Sequence, residues 1–255
     1  MEKIDLGKYL AGNEYPGRGI AIAMAPDGRQ MFIGYWIMGR SANSRNRVFS
    51  PVPERGGIET RAADPEKLED PSLIIYNPVL TLGSSHIVTN GDQTDTIFDA
   101  LCAGGSFESA LRTRTFEPDE PNWTPRISGI VYASGSYQLS ILKSADGNGE
   151  SVQRYFFDYA QPVAGEGHFI STYKCNGNPI PSFDGEPLRF AAPRTISEFS
   201  NMIWSNLNAD NKVSFFARVI DLESGNAADA IYNKYCSAED DMDDPEEPAL
   251  LPEEQ

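Results

Sequence analysis

The residues best placed to do chemistry fall in one run, Ile87-Val-Thr-Asn-Gly-Asp-Gln-Thr-Asp-Thr-Ile-Phe-Asp99. An apolar stretch ends at Thr89, Asn90-Gly91 is a turn pair that tolerates positive φ, and Thr94-Asp95-Thr96 opens a helical pattern. Asp95 or Thr96 is the expected N-cap, and Thr96 with Asp99 three residues on has the spacing of a capping box. A strand, a glycine turn and a helix start leave backbone N–H groups beside hydroxyls and an amide, which suits an anionic ligand. The same residues also describe a well-capped helix after a hairpin turn, so local physics alone leaves both readings open. A second candidate is the polar loop Gly39-Arg-Ser-Ala-Asn-Ser-Arg-Asn-Arg47. It sets Arg40, Arg45 and Arg47 within eight residues of an acidic chain. Guanidinium groups fit carboxylate and phosphate forks, although a solvated connector would have the same composition.

The elements that must position these loops are mostly strands. Gly19–Ala25 and Gln30–Met38, joined by Pro26-Asp27-Gly28, read as a β-hairpin that is apolar on both faces and therefore covered on both faces. Residues 51–71 read as an irregular excursion. Ser72–Leu80 returns to strand, with Pro78 forcing an edge or a bulge beside Tyr76 and Asn77. His86–Thr89 follows through Gly83-Ser84. Two short helices are expected near 96–103 and 107–114, the second capped by Ser106. After the broken loop 115–126 come a second hairpin, Ile127–Ala133 with Tyr137–Leu142, and strands at Arg154–Phe157 and His168–Tyr173. Residues 174–192 form another Pro/Gly loop. In Thr195–Asn206, Ile196, Phe199, Ile203 and Leu207 recur at helical spacing and mark a core face. Val213–Ile220 is a strand and Ala227–Tyr235 the expected last helix. Many antiparallel strands with helices in two groups indicate an α+β layered sandwich rather than a doubly wound parallel sheet.

Composition narrows the classes. The 255 residues, 40% of them hydrophobic, suffice for one sizeable core. The net charge is −16, and nine acidic residues with no basic ones lie between Ser237 and Gln255, leaving −7 for residues 1–236. One domain over 1–236 with an acidic, disordered tail over 237–255 is the expected organisation. An acidic body argues against a nucleic-acid partner. No run approaches the length of a membrane span, and the start has no long apolar signal region. The three cysteines are odd in number and widely spaced, which favours reduced thiols in a cytoplasm. The two histidines read as ordinary strand residues and Cys102 as a buried helix position. No Cys/His pair has metal-ligand spacing, so no metal is expected.

Five stretches resemble the archaeal-type inosine monophosphate (IMP) cyclohydrolase family. They are Ile75-Tyr-Asn-Pro78, Val88-Thr-Asn-Gly-Asp-Gln-Thr-Asp-Thr-Ile97, Thr124-Pro-Arg-Ile127, Phe169-Ile-Ser-Thr-Tyr173 and, more weakly, Gly39-Arg-Ser…Arg45. In order and separation they cover roughly residues 15–220. The resemblance implies a four-layer α-β-β-α sandwich of two antiparallel sheets, similar to the N-terminal nucleophile (Ntn) hydrolases. Met1-Glu2 offers no such nucleophile, so the fold likeness is no argument for amide hydrolysis. Against the family pattern this chain has insertions near 51–65, within 115–125 and at 174–192.

The implied reaction is closure of the purine ring, the last step of de novo purine biosynthesis. The carboxamide nitrogen of 5-formamidoimidazole-4-carboxamide ribonucleotide (FAICAR) attacks the formyl carbon, and water leaves to give IMP, with no cofactor. The resemblance assigns Arg45, Tyr76 and Glu117 to the reacting centre. Arg47 is an alternative alignment for Arg45, and Asp119 or Glu120 for Glu117. It also assigns substrate contacts to Arg47, Asn77, Asn90, Gly91, Thr94, Asp95, Thr96, Thr124, Arg126 and Tyr173, with a homo-oligomeric state. Two other readings stand beside it: an amide or formamide hydrolase on the same scaffold, and a non-catalytic purine-nucleotide-binding protein.

Overall fold

Side-chain alternation on the first hairpin sets the layering. In the computed structural model, which describes residues 3–68, 71, 73–145 and 147–235, strands β1 (Gly19–Met24) and β2 (Gln30–Met38) pair antiparallel. All of their residues but Gln30 are buried. Ile20, Ile22, Ile33, Tyr35 and Ile37 enter one core, while Ala21, Ala23, Phe32, Trp36 and Met38 enter another. A period-2 element with apolar residues on both faces must lie between two layers, as its sequence requires.

These strands form the centre of a six-stranded antiparallel sheet. β10 (Glu166–Ser171) and β11 (Leu188–Ala191) extend it on one side, β12 (Lys212–Asp221) and β13 (Ala227–Asn233) on the other. The second sheet has seven antiparallel strands in chain order. They are β3 (Val48–Val52), β4 (Gly57–Arg61), β5 (Val79–Leu82), β6 (Ser85–Thr89), β7 (Arg126–Val131), β8 (Tyr137–Ala145) and β9 (Asn148–Tyr159).

The sheets meet face to face through Ile20, Ile22 and Tyr35 on one side and Val88, Ile127 and Leu139 on the other. Helices α1 (Leu6–Ala11) and α5 (Ile196–Trp204) cover the outer face of the first sheet with Leu6, Leu10, Phe199 and Ile203. Helices α3 (Gln93–Cys102) and α4 (Phe107–Leu111) cover the second, where Ile97, Phe107 and Leu111 pack on Ile87, Ile130 and Leu142. A four-residue helix, α2 (Ala42–Arg45), lies between the sheets in chain order. The order of layers is α-β-β-α, the α+β sandwich expected from the strand pattern. Among the described residues no helix is long and apolar enough to cross a membrane.

Several expectations are corrected. Ala227–Asn233 is a strand, with Phe215 facing Tyr232 and Phe216 facing Ile231. The Ala-rich segment is short enough for helix propensity to be outweighed by the open hydrogen-bonding edge of β12. The excursion over 51–71 contains β4 and the end of β3, paired as a hairpin. The strand expected over 72–80 starts only at Val79, just past Pro78, which has no N–H for the ladder. Helix α3 starts at Gln93, three residues before the expected start, with Asp92 at the N-cap and no side-chain cap. Asp95 and Thr96 therefore lie inside its first turns. Cys102 is exposed at the end of α3 rather than buried. Ser106 does cap α4, in a capping box with Ser109. The acidic stretch 237–255 lies outside the described residues.

Candidate active site

The site begins where two glycines let the chain pass. Gly17 has φ 74°, and a Cβ there would sit 2.2 Å from Thr172 Oγ1, while one on Gly19 would sit 1.9 Å from the Trp36 ring. Only glycine fits either position. Arg18 between them is thereby held at the mouth of β1, its N–H donating to Thr172 Oγ1 at 3.1 Å. Its guanidinium donates to Glu117 Oε2 at 2.9 Å and to the Asn90 carbonyl at 3.1 Å. Arg18 is 9% exposed and Glu117 3%, so this is an ion pair removed from solvent.

The loop after α4 delivers Glu117. Its N–H donates to the Thr124 carbonyl at 2.9 Å, and Asp119 accepts from the Thr124 N–H at 2.6 Å and from the Thr124 hydroxyl. Thr124 Oγ1 also lies 2.5 Å from the Tyr173 hydroxyl. Arg18, Arg47, Glu117, Asp119, Thr124 and Tyr173 line a cavity of about 180 Å³. Burial pushes the Glu117 carboxyl above the usual range against the pull of Arg18. Burial also works against the charge on Arg18, but Glu117, Tyr76 and Tyr35 outweigh it and hold its pKa well above the ordinary value.

Behind this pair stand two phenols. Tyr76 is fixed by its backbone, its N–H donating to Thr60 Oγ1 at 2.8 Å, and its hydroxyl lies 2.7 Å from that of Tyr35. Burial, reinforced by Tyr76, holds Tyr35 well above its ordinary pKa. The two hydroxyls form a chain of exchangeable protons beside a fixed positive charge.

The Asn90-Gly91 turn is built into the same wall, although its polar groups are largely consumed by the fold. Asn90 Oδ1 accepts from Ile127 N at 2.8 Å and Gln93 Nε2 at 2.9 Å, and Asn90 Nδ2 donates to the Pro125 carbonyl at 2.9 Å. Thr94 is fully buried, bonded to Thr89 Oγ1 at 2.6 Å and to the Gly91 carbonyl at 3.0 Å. A Cβ on Gly91 would lie 2.6 Å from Arg126 Nη1 and 3.7 Å from Glu117 Oε1, so the turn touches both charged groups. Arg126 donates to Gln93 Oε1 at 2.7 Å and pairs with Asp92 at 2.6 Å. Asp92 is shared with Arg114, which also reaches Thr96 Oγ1 at 3.2 Å.

The structure thus brings Tyr76, Glu117, Arg47, Gly91, Thr124, Arg126 and Tyr173 together. Arg45 faces elsewhere, donating to the Gly39 carbonyl at 2.9 Å and Asn211 Oδ1 at 3.0 Å. Arg47, two residues on, is the arginine of that loop that lines the cavity. Of the three candidate acids, Glu117 is the buried one; Asp119 is engaged with Thr124 and Glu120 is exposed. Asn77 and Asp95 meet each other at 3.3 Å, with Arg55 on Asp95 at 2.7 Å, in a cluster of their own at the first turns of α3. Sequence reasoning missed Arg18, Tyr35, Asp92, Gln93 and Arg114. Only Arg18 carried a usable signal, a lone arginine between two glycines at the entry to an apolar strand.

Larger clefts exist, including one of about 720 Å³ beside Lys143 and Tyr155, but none of its charged side chains is buried. Fold and cavity together define an α-β-β-α sandwich protein with a water-shielded ionic and phenolic centre between its layers. The chain belongs to the IMP cyclohydrolase-like protein family, whose model matches residues 15–226. The protein named IMP cyclohydrolase from Methanosphaera stadtmanae is 29% identical over 166 residues, which cover 64% of this chain and 75% of that one. Its namesake from Methanopyrus kandleri is 36% identical over 115 residues, 41% of this chain and 53% of that one. The one from Halobacterium salinarum is 29% identical over 126 residues, 45% and 64% of the two chains.

Proposed function

We propose that this protein is an IMP cyclohydrolase that closes the ring of FAICAR to give IMP and water. The observation that carries the reading is the buried Arg18–Glu117 pair beside Tyr76, inside the region shared with the family. Both reacting groups belong to one molecule, so holding the formyl group against the carboxamide supplies much of the acceleration. A cavity of about 180 Å³ suits the heterocyclic end of the substrate, with ribose and phosphate along its mouth.

In this reading Glu117 takes a proton from the carboxamide nitrogen as the new N–C bond forms. A carboxylate whose pKa is raised by burial is a better base at neutral pH than a solvated one. Arg18 and Arg47 stabilise the oxyanion that develops on the formyl oxygen. That oxygen receives the carboxamide proton through Glu117 or the Tyr76–Tyr35 pair. The formamido N–H supplies the second proton as the C–O bond breaks and water departs. Arg126, the first residue of β7, whose guanidinium reaches Gln93 and Asp92 at the start of α3, takes the phosphate, with the fork geometry and helix N-terminus both favouring an anion. Asn90, Thr94 and Thr124 act by shaping the wall. Asn77, Asp95 and Thr96 extend the ribose side.

The exposed, unpaired Cys102 and Cys175 support a reducing, cytoplasmic setting, and the family resemblance supports a homo-oligomer. The deciding experiment incubates purified protein and EDTA with FAICAR and follows IMP against the slow uncatalysed cyclisation. Accelerated product formation, lost by roughly 10²–10⁴-fold in Glu117→Gln and reduced in Tyr76→Phe, is the expected outcome. Saturable binding with no acceleration would refute the enzyme reading, and release of formate would indicate a formamide hydrolase.

A further inference from the structure

Outside the small cavity, polar and aromatic groups gather on the last two strands of the second sheet. Strand alternation sets Ile141 and Lys143 of β8 opposite Tyr155 and Gln153 of β9, with Phe157 next along the same face. The chain between β10 and β11 meets them there. Lys143 Nζ donates to the Phe183 carbonyl at 3.0 Å and reaches Asp184 Oδ1 at 3.3 Å. Two recesses adjoin along this face and share Lys143, Tyr155 and Asp184. One, of about 260 Å³, is walled by Ile141, Phe157 and Phe183 and is apolar. The other is the cleft of about 720 Å³, which adds Lys174, Asn122, Gln153 and Ser144 and is polar. Lys174 follows Tyr173, and Asn122 lies two residues before Thr124. The polar cleft therefore backs onto the wall of the small cavity, with no lining residue in common.

In the polar cleft the protein consumes acceptors and leaves donors. Asn122 Oδ1 accepts from Ile180 N at 3.3 Å and Gln153 Oε1 from the Tyr155 hydroxyl at 3.1 Å, so each amide keeps its NH2 group for another partner. Ser144 is 7% exposed, and its hydroxyl has no hydrogen-bond partner, a state that costs stability unless something binds there. Lys174 Nζ makes no bond among the described residues. The one carboxylate among the described lining residues, Asp184, is 75% exposed and already shared with Lys143. Two cations and several unspent donors beside one carboxylate select an anion, in a chain whose net charge is −16. The apolar recess next to it suits a planar ring. Tyr155, 43% exposed, offers a stacking face, and Glu186 at the rim offers an acceptor for an amino group. We propose that the double recess binds a nucleoside 5′-monophosphate with an amino-bearing base, its phosphate on Lys143 and Lys174 and its base against Tyr155. The polar cleft alone falls within the roughly 300–1,000 Å³ usual for small-molecule sites.

The test is lysine footprinting of the full-length protein with limiting N-hydroxysuccinimide acetate, read by mass spectrometry, with adenosine 5′-monophosphate (AMP) as the probe. None of the described residues lining the small cavity is a lysine, so Lys143 and Lys174 report on the double recess whether or not the protein closes a purine ring. Lys8, 88% exposed, is the control. Saturating AMP should slow acetylation of Lys174 about tenfold and protect Lys143 as well, leaving Lys8 unchanged. Inorganic phosphate at the same concentration should protect far less, because it lacks the base. Tyr155→Ala, at an exposed position, should weaken AMP binding about tenfold by removing the stacking face. Lys143→Gln/Lys174→Gln should weaken it at least as much in calorimetry, since both phosphate contacts are lost. Absence of protection, or equal slowing at Lys8, overturns the proposal. Equal protection by phosphate alone would reduce the cleft to a bare anion site and overturn the nucleotide. Protection undiminished in Tyr155→Ala would place AMP elsewhere and overturn it too.

Discussion

Replacing Arg18 with methionine tests the centre of the reading without touching any group that bonds to the backbone of Glu117. The substitution keeps the length and apolar stem of the side chain and removes the charge. It leaves Glu117, 3% exposed, without the guanidinium that now sits 2.9 Å from its Oε2. Breaking a buried pair by deleting one partner costs about 3–5 kcal/mol, because the remaining charge is stranded in a poorly polarisable interior. Arg126 lies close enough to offset part of this, so the lower end is expected for Arg18→Met at neutral pH. The loss must depend on pH. The folded Glu117 pKa is already above its ordinary value of 4.5 through burial, and losing Arg18 raises it further. The folded state then binds the proton more tightly than the unfolded one, so stability is retained at low pH and lost as pH rises through the folded pKa. Urea unfolding at about pH 5 and pH 7.5, followed by tryptophan fluorescence, should show the larger deficit at pH 7.5 with an unchanged m-value. Adding Glu117→Gln to Arg18→Met should restore about 2 kcal/mol of the loss at pH 7.5. A deficit below about 1 kcal/mol, the same deficit at both pH values, or strict additivity in the double mutant would refute the buried-pair argument.

Other outcomes follow from the same geometry. Arg47→Ala should lower kcat/KM for FAICAR cyclisation about tenfold or more through loss of a charge-assisted contact, whereas Arg45→Ala should change it less than about twofold; the reverse order would relocate the site. Gly91→Ala places a Cβ 2.6 Å from Arg126 Nη1 and 2.7 Å from Gln93 Oε1, so displacement of Arg126 should cost about 10–100-fold in kcat/KM, and wild-type kinetics would show that the turn does not position it. Burial, aided by Arg218 near His86 and opposed by Glu166 near His168, depresses both histidines to about 4. The unfolded chain therefore takes up protons first, and stability should fall from about pH 6.5 towards 4, a slope that His86→Gln/His168→Gln should flatten in urea titrations.

The sequence alone determined the layers, because strand periodicity is a local signal. Ile20 to Ile37 are apolar at both parities, and that pattern has one solution, a sheet covered on both faces. The pairings of β1 with β2, β5 with β6 and β7 with β8 were equally legible, since each needs only a short turn. So were the Asn90-Gly91 turn, Ser106 as a cap and, through the resemblance, the family. What distant elements decide was not legible. Ala227–Asn233 became a strand because β12 offered an edge, a fact about a neighbour rather than about those residues. Asn90 and Thr94 look like free ligand groups in sequence, yet Ile127, Pro125 and Thr89 occupy them in the fold. Arg45 and Arg47 are indistinguishable by composition; the turn after α2 leaves one on Gly39 and Asn211 and sends the other to the cavity. The pair at the centre joins residues 18 and 117 across 99 positions. A charge becomes chemically useful when burial and a partner shift its proton affinity, and both depend on packing that only the tertiary structure supplies.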